Sequence, residues 1–137
     1  SVIDAVVRPG DSALECGCHF GTTTALLKAA VGDGGACLGV DVGPSIVATA
    51  AAKHGAFFKI GDAWAARGLA DLAPHGGRWD VVFVDVGGLS SAYATLEALA
   101  LARSLGAALD PRVVVFKSKC LRALADDLLP SSRVITS

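Results

Sequence analysis

Short apolar runs alternate along the whole chain with longer stretches in which small and apolar residues recur at helical spacing. The runs Ser12–Glu15, Ala36–Asp41, Ala56–Asp62, Asp80–Asp85 and Arg112–Lys117 are short and largely apolar, the last three rich in β-branched or aromatic residues. Gly, Asp and Pro bound them, which predicts five strands. Arg133–Thr136 predicts the opening of a sixth. Helices are predicted over about Thr22–Val31, Ser45–His54, Ala63–Leu72, Ser90–Leu105 and Leu121–Leu129, with Ser90-Ser91 as a cap. Ser1–Val7 reads as a leading helical turn covering one end. Val81–Val84 and Val113–Phe116 are apolar at every position, which suits central parallel strands covered on both faces. Gly32-Asp33-Gly34-Gly35, Pro74-His75-Gly76-Gly77, Gly106, Asp110-Pro111 and Pro130 punctuate the units.

Strand and helix in alternation predict an α/β domain: a doubly wound, mostly parallel sheet with helices on both faces, ending after a fifth or sixth strand. Composition narrows the picture. The 137 residues are 53% hydrophobic and 18% charged, which supports one buried core and a single domain over residues 1–137. Twelve basic side chains against thirteen acidic ones give a net charge of −1, so no global basic field draws the chain to nucleic acid or membrane. Charges, Gly and Pro interrupt every apolar stretch before the ~18 residues of a membrane span. Asp4 and Arg8 leave no visible signal peptide. Cys16, Cys18, Cys37 and Cys120 lack metal-site spacing and read as buried small hydrophobes of a cytoplasmic or other reducing compartment. The chain opens on Ser1 and has no Met, so it reads as processed or as a piece of something longer.

Candidate chemistry gathers at the strand ends. In open sheets of this kind ligands bind beyond the carboxyl ends of the strands. Four predicted strands end on an acid: Glu15, Asp41, Asp62 and Asp85. One such acid is ordinary as a turn or cap residue; four in register line a crevice. After the first strand, Gly17 permits a sharp turn, Gly21 allows close entry into a helix and Thr22 can cap it. Amides there would face an anion, and His19 lies in the same loop. No G-K-[ST] phosphate loop is present, and Cys18 stands where a dinucleotide fingerprint has its second Gly. Asp41 lies 24 residues after Gly17, where a carboxylate accepts the hydroxyls of a ribose. Asp62 can accept from an exocyclic amine, with Ala63 or Trp64 as an apolar wall. Trp79 is expected on the sheet edge, and His19, His54 and His75 do not converge.

The ordered segments Glu15-x-Gly17-x-x-x-Gly21, Gly39-Val40-Asp41, Gly61-Asp62-Ala63 and Trp79–Asp85 resemble the motifs of class I S-adenosylmethionine-dependent methyltransferases. The resemblance covers about Pro9–Phe116 and implies a Rossmann-like fold with S-adenosylmethionine as cofactor. It implies Gly17, His19 and Gly21 beside the methionine part, Asp41 and Val42 at the ribose, and Asp62 and Ala63 near adenine. Glu15 would help to hold the amino group, and Asp85 would face the transferred methyl. Cys18-His19-Phe20 is bulkier than the family's usual loop.

Asp85 and Lys117 are the candidate catalytic residues: Lys117 meets a phosphate or lowers the pKa of an attacking hydroxyl, and Asp85 orients it. That pairing is loosely similar to the FtsJ-type RNA 2′-O-methyltransferases and their Lys-Asp-Lys-Glu tetrad. No lysine precedes Lys28, so the first member of the tetrad has no counterpart here, and neither does its Glu. The acceptor is RNA or a small molecule, with no membrane partner and no metal, and the oligomeric state is open. Two further readings stand beside methyl transfer: a non-catalytic module that binds the cofactor or a partner, and an NAD-dependent oxidoreductase.

Overall fold

The computed structural model describes residues 1–128 other than 75, 90 and 92. The elements run α1 (Val2–Val6), β1 (Ser12–Cys16), α2 (Thr22–Val31), β2 (Ala36–Asp41), α3 (Pro44–His54), β3 (Phe58–Ile60), α4 (Ala66–Asp71), β4 (Val81–Val84), α5 (Thr95–Leu109), β5 (Val113–Phe116) and α6 (Lys119–Leu128). The five strands form one sheet in the order β3-β2-β1-β4-β5, and every neighbouring pair is parallel. The order reverses at β1, which lies between β2 and β4, so the expected doubly wound α/β sheet is present.

Alternation along the strands feeds two separate cores. Leu14, Cys16, Leu38, Val40, Val82 and Val84 point to one face, where Leu69 of α4 and Ala98, Leu101 and Leu105 of α5 bury them. Ala13, Val81 and Phe83 point to the other, against Leu27 and Val31 of α2 and the apolar side of α1. A third cluster joins Val47 and Ala50 of α3 to Phe58 and Cys18. Trp79 is 2% exposed and its Nε1–H donates to the Leu69 carbonyl at 2.9 Å. It is thus a core residue pinning α4, not a sheet-edge residue; an indole is this deeply buried only when its N–H finds an acceptor. Arg112 grips both oxygens of Asp11, at 2.6 and 3.1 Å, and the Val6 carbonyl at 2.9 Å, which clips the end of α1 to the start of β5.

Several boundaries differ from the sequence reading, each for a local reason. β3 is three residues long where a seven-residue run was expected, because it pairs β2 only from Gly39 to Asp41. α4 begins at Ala66, since Asp62 first closes a turn: the Trp64 amide donates to its Oδ1 and the Ala65 amide to its carbonyl. α5 begins at Thr95 and runs through Gly106, a half-exposed position where even a Cβ would meet open space. Asp110, in the left-handed conformation, ends it ahead of Pro111. α2 is capped by Gly21 and not by Thr22. α6 begins at Lys119, two residues earlier than expected, with Ser118 Oγ accepting the Leu121 amide. The expectations at His75, at Ser90, at Leu129 and Pro130, and for a strand over Arg133–Thr136 lie outside the described residues. No described helix is long and apolar enough to cross a membrane.

Candidate functional site

The carboxyl ends of β1, β2 and β4 meet around the loop after β1. Parallel pairing continues past the strands: the Gly17 and Cys18 amides both donate to the Val40 carbonyl, and the Asp85 amide donates to the Cys16 carbonyl. The tips are therefore pressed together. Gly17 has φ +80°, and a Cβ there would come within 2.1 Å of the Asp85 carbonyl oxygen. At Gly21, φ +88°, the same atom would meet Phe58 at 2.5 Å and His54 at 2.9 Å. These two glycines are required by the protein's own packing, whatever ligand the loop holds. His54 was not linked to this loop by sequence, and its Nε2 is buried without a hydrogen-bond partner among the described residues.

Asp41 ends β2 and ties its neighbours together. Its Oδ2 accepts the His19 amide at 3.2 Å and its Oδ1 the Gly43 amide at 3.1 Å. His19 itself sits in the left-handed region at φ 49° with an exposed side chain, so its main chain rather than its ring is engaged. A carboxylate has about four acceptor sites, and these two amides leave capacity on both oxygens. Asp62 is exposed, and Ala63 behind it is buried. Four apolar side chains next to the two acids in the chain or in register, or next to His19 whose amide Asp41 accepts, are exposed: Phe20 by 58%, Val42 by 67%, Ile60 by 60% and Trp64 by 48%. Ile60 is the register partner of Asp41. In the sequence Phe20 stands out only by its bulk and Ile60 only as an apolar residue at the open end of a strand.

On the other side of the reversal the chemistry is ionic. Lys117, just past β5, donates from Nζ to Asp85 Oδ2 at 3.0 Å. That hydrogen bond and the carboxylate charge raise the lysine's pKa, so Lys117 is a cation and not a base at neutral pH. Glu15 is 3% exposed, with Thr24 Oγ1 of α2 donating to its Oε2. Burial pushes the Glu15 carboxyl up to about 7, the Thr24 bond and Lys117 opposing and Asp85 adding to the shift. A cavity of about 290 Å³ lies here, walled by Val2, Phe83 and Val115 and bearing Glu15, Asp85 and Lys117. Thr24 is a functional neighbour that sequence alone did not indicate, since nine residues and a loop separate it from Glu15. A more open hollow of about 500 Å³ lies between α5 and α6 and has none of the strand-end acids in its wall.

The site residues expected from sequence thus fall in two adjoining groups. Gly17, His19, Gly21, Asp41, Val42, Asp62 and Ala63 belong to the ends of β1, β2 and β3; Glu15, Asp85 and Lys117 belong to β1, β4 and β5. The five-stranded parallel sheet is a Rossmann-like fold, and both groups lie where its strand order reverses. Two solved structures share it. One is fibrillarin from Aeropyrum pernix in complex with natively bound S-adenosyl-L-methionine, 22% identical at a TM-score of 0.53, covering 70% of this chain and 42% of that one. The other is a Clostridium thermocellum protein assigned as an rRNA methylase, 18% identical at a TM-score of 0.53, covering 79% and 62%. The chain thus spans less than two thirds of either protein. No protein-family model and no curated protein matches it in sequence.

Proposed function

We propose that the domain binds S-adenosylmethionine and transfers its methyl group to a hydroxyl-bearing acceptor, RNA being the leading candidate. The observation that carries this reading is the apolar rim of Phe20, Val42, Ile60 and Trp64 around Asp41 and Asp62. Exposed apolar groups beside fixed acceptors suit a flat heteroaromatic base joined to a sugar diol. The residues fit an adenosine: Asp41 is held by two amides with acceptor capacity to spare, and Asp62 has one oxygen committed to Trp64. Both solved neighbours are described as methyl-transfer proteins or contain this cofactor, which supports the same choice.

When bound, the cofactor supplies an electrophilic methyl on a sulfonium. The chain's own task is alignment and charge. Methyl transfer needs the acceptor atom held in line at near-attack distance, and most of the acceleration comes from that placement. Asp85 fixes the position and the charge of Lys117, and the ammonium donates to the acceptor oxygen as negative charge develops there. Titration calorimetry with S-adenosylmethionine and with NAD tests the reading. The expected result is binding of the first, weakened at least about tenfold by Asp41→Ala through loss of a charge-assisted hydrogen bond of ~1.5–3 kcal/mol. Lys117→Ala should leave that affinity intact and lower turnover. Preference for NAD, or unchanged affinity in Asp41→Ala, would refute it.

A further inference from the structure

We propose that the hollow between α5 and α6 is the path of a single-stranded RNA leading to Lys117, with Tyr93 as a ring on which a base stacks and Lys119 and Arg122 as phosphate contacts. This rests on the methyl-transfer reading for its acceptor and deepens it by naming the form in which the RNA is held.

The path begins beside the candidate catalytic pair. Lys117 leaves β5, and two residues later Lys119 opens α6 and forms part of the hollow's wall. The facing wall comes from the approach to α5 and its first turn, through Ser91 and Thr95. The two walls are fixed to each other. Ser118 Oγ donates to the Leu89 carbonyl at 3.1 Å and accepts the Leu121 amide at 3.3 Å, and Cys120 Sγ reaches the same carbonyl at 3.6 Å. Ser118 and Cys120 are both buried, so this join is part of the core and the hollow of about 500 Å³ is a built feature of the fold.

Two kinds of side chain border it. Tyr93 is the chain's only tyrosine and is 95% exposed, and its amide donates to Ser91 Oγ, which sets it at the lip. Leu96 follows at 79% exposed, and these are the two most exposed large apolar side chains among the described residues. The Tyr93 ring thus has no packing role in the fold, and both its faces are open to a stacked base. Lys117, Lys119 and Arg122 are exposed cations with no acid between them. Lys119 and Arg122 are three residues apart and so neighbours on α6, in its first turn, where the helix dipole adds to their charge.

The acids are placed so that they leave this end positive. Asp85 is engaged by Lys117. Asp126 and Asp127 lie in the last turn of α6, and only Asp127 reaches the wall; Glu97 of α5 is exposed but outside it. The hollow is therefore positive beside the strand ends and negative at its far end. A polyanion is held near Lys119 and turned across toward Tyr93, away from the far half of α6. Because the chain's net charge is −1, the attraction is local and salt weakens it. A duplex keeps its bases stacked within itself, so a single exposed ring selects unpaired strands.

Fluorescence anisotropy with a short, fluorescein-labelled single-stranded oligoribonucleotide of mixed sequence tests the path without cofactor or turnover. The expected result is saturable binding at low salt, weaker for the same sequence as a duplex. Tyr93→Ala should weaken it at least about fivefold, and Tyr93→Phe, which keeps the ring, should restore most of the loss. Lys119→Ala with Arg122→Ala should flatten the slope of log affinity against log salt by about 1.4, about 0.7 for each phosphate contact removed. Lys53→Ala, an exposed lysine of α3, should change nothing. With one tyrosine, 3-fluorotyrosine labelling gives one 19F resonance, which should shift on adding the oligoribonucleotide and stay fixed on diluting the protein. No binding, an unchanged salt slope, or Tyr93→Phe as weak as Tyr93→Ala would overturn the proposal. So would a resonance that moves with protein concentration alone, which would make the surface a contact between copies of the chain. A protein that binds S-adenosylmethionine but no oligoribonucleotide refutes the path and leaves the methyl-transfer reading standing. One that binds the oligoribonucleotide as described but no S-adenosylmethionine does the reverse.

Discussion

At the scale of single residues, two positions have consequences that follow directly from geometry. Gly17 combines a left-handed backbone with a Cβ path blocked by the Asp85 carbonyl. Gly17→Ala should cost at least about 2 kcal/mol, since conformational strain and a backbone clash add; urea unfolding would measure it, and a loss below about 0.5 kcal/mol would contradict the geometry. Glu15 makes stability depend on pH in an unusual sense. Its folded pKa of about 7 lies above the ordinary 4.5, so between these values the folded chain keeps a proton that the unfolded chain sheds. This contribution is full below 4.5 and declines as pH rises to about 7, by on the order of 3 kcal/mol if the whole shift is realised. Glu15→Gln should flatten the decline, and unfolding free energies from pH 4.5 to 8 would reveal it. Asp11 has the opposite sense: its bond to Arg112 depresses its pKa, so its contribution is lost as pH falls.

Among elements, α1 is weakly held, with five residues and none of them buried. Its attachment depends on the apolar contacts of Val2, Ile3 and Val6 and on Arg112 at its end. Arg112→Ala should reduce stability by about 1–2 kcal/mol, the worth of a partly exposed charge-assisted bond pair. It should also speed hydrogen exchange at the Ala5 and Val7 amides, while exchange in β1 stays slow. Most elements were legible in the sequence because continuous apolar runs such as Val81–Val84 have one physical explanation, burial on both faces. The failures lie where tertiary contact outranks local pattern. β3 is short because it meets β2 only over Gly39–Asp41, the last half of that strand, and no property of Phe57 or Gly61 encodes that. α5 passes through Gly106 because a glycine on a half-exposed face costs only about 1 kcal/mol. In the site, strand-end acids were visible as a repeating pattern, and Lys117 was expected near Asp85. Thr24 beneath Glu15 and His54 against Gly21 were not, since both contacts arise from how helices lie across the sheet.

For the molecule as a whole, ligand binding and stability are linked. A cofactor held only by the folded state, at one hundred times its Kd, should add about 2.7 kcal/mol of stability. For a domain of this size that is a rise in melting temperature of several degrees, read by scanning calorimetry with S-adenosylmethionine against a buffer control. No rise at saturating ligand would contradict the proposed crevice. The same measurement on Asp41→Ala separates a folding defect from a binding defect, because the ligand-free transition reports the first and the increment reports the second.

The central position of β1 also bears on how this protein is made. Ser12 is bonded through both its amide and its hydroxyl to Asp80, 68 residues later. As the chain leaves the ribosome, Ala13 and Leu14 emerge early but lack one flanking strand until Val81–Val84 have been translated. During that interval the middle of the future sheet is an exposed, adhesive ribbon, and chaperone occupancy on the nascent polypeptide should fall once the segment from Asp80 onward has cleared the exit tunnel.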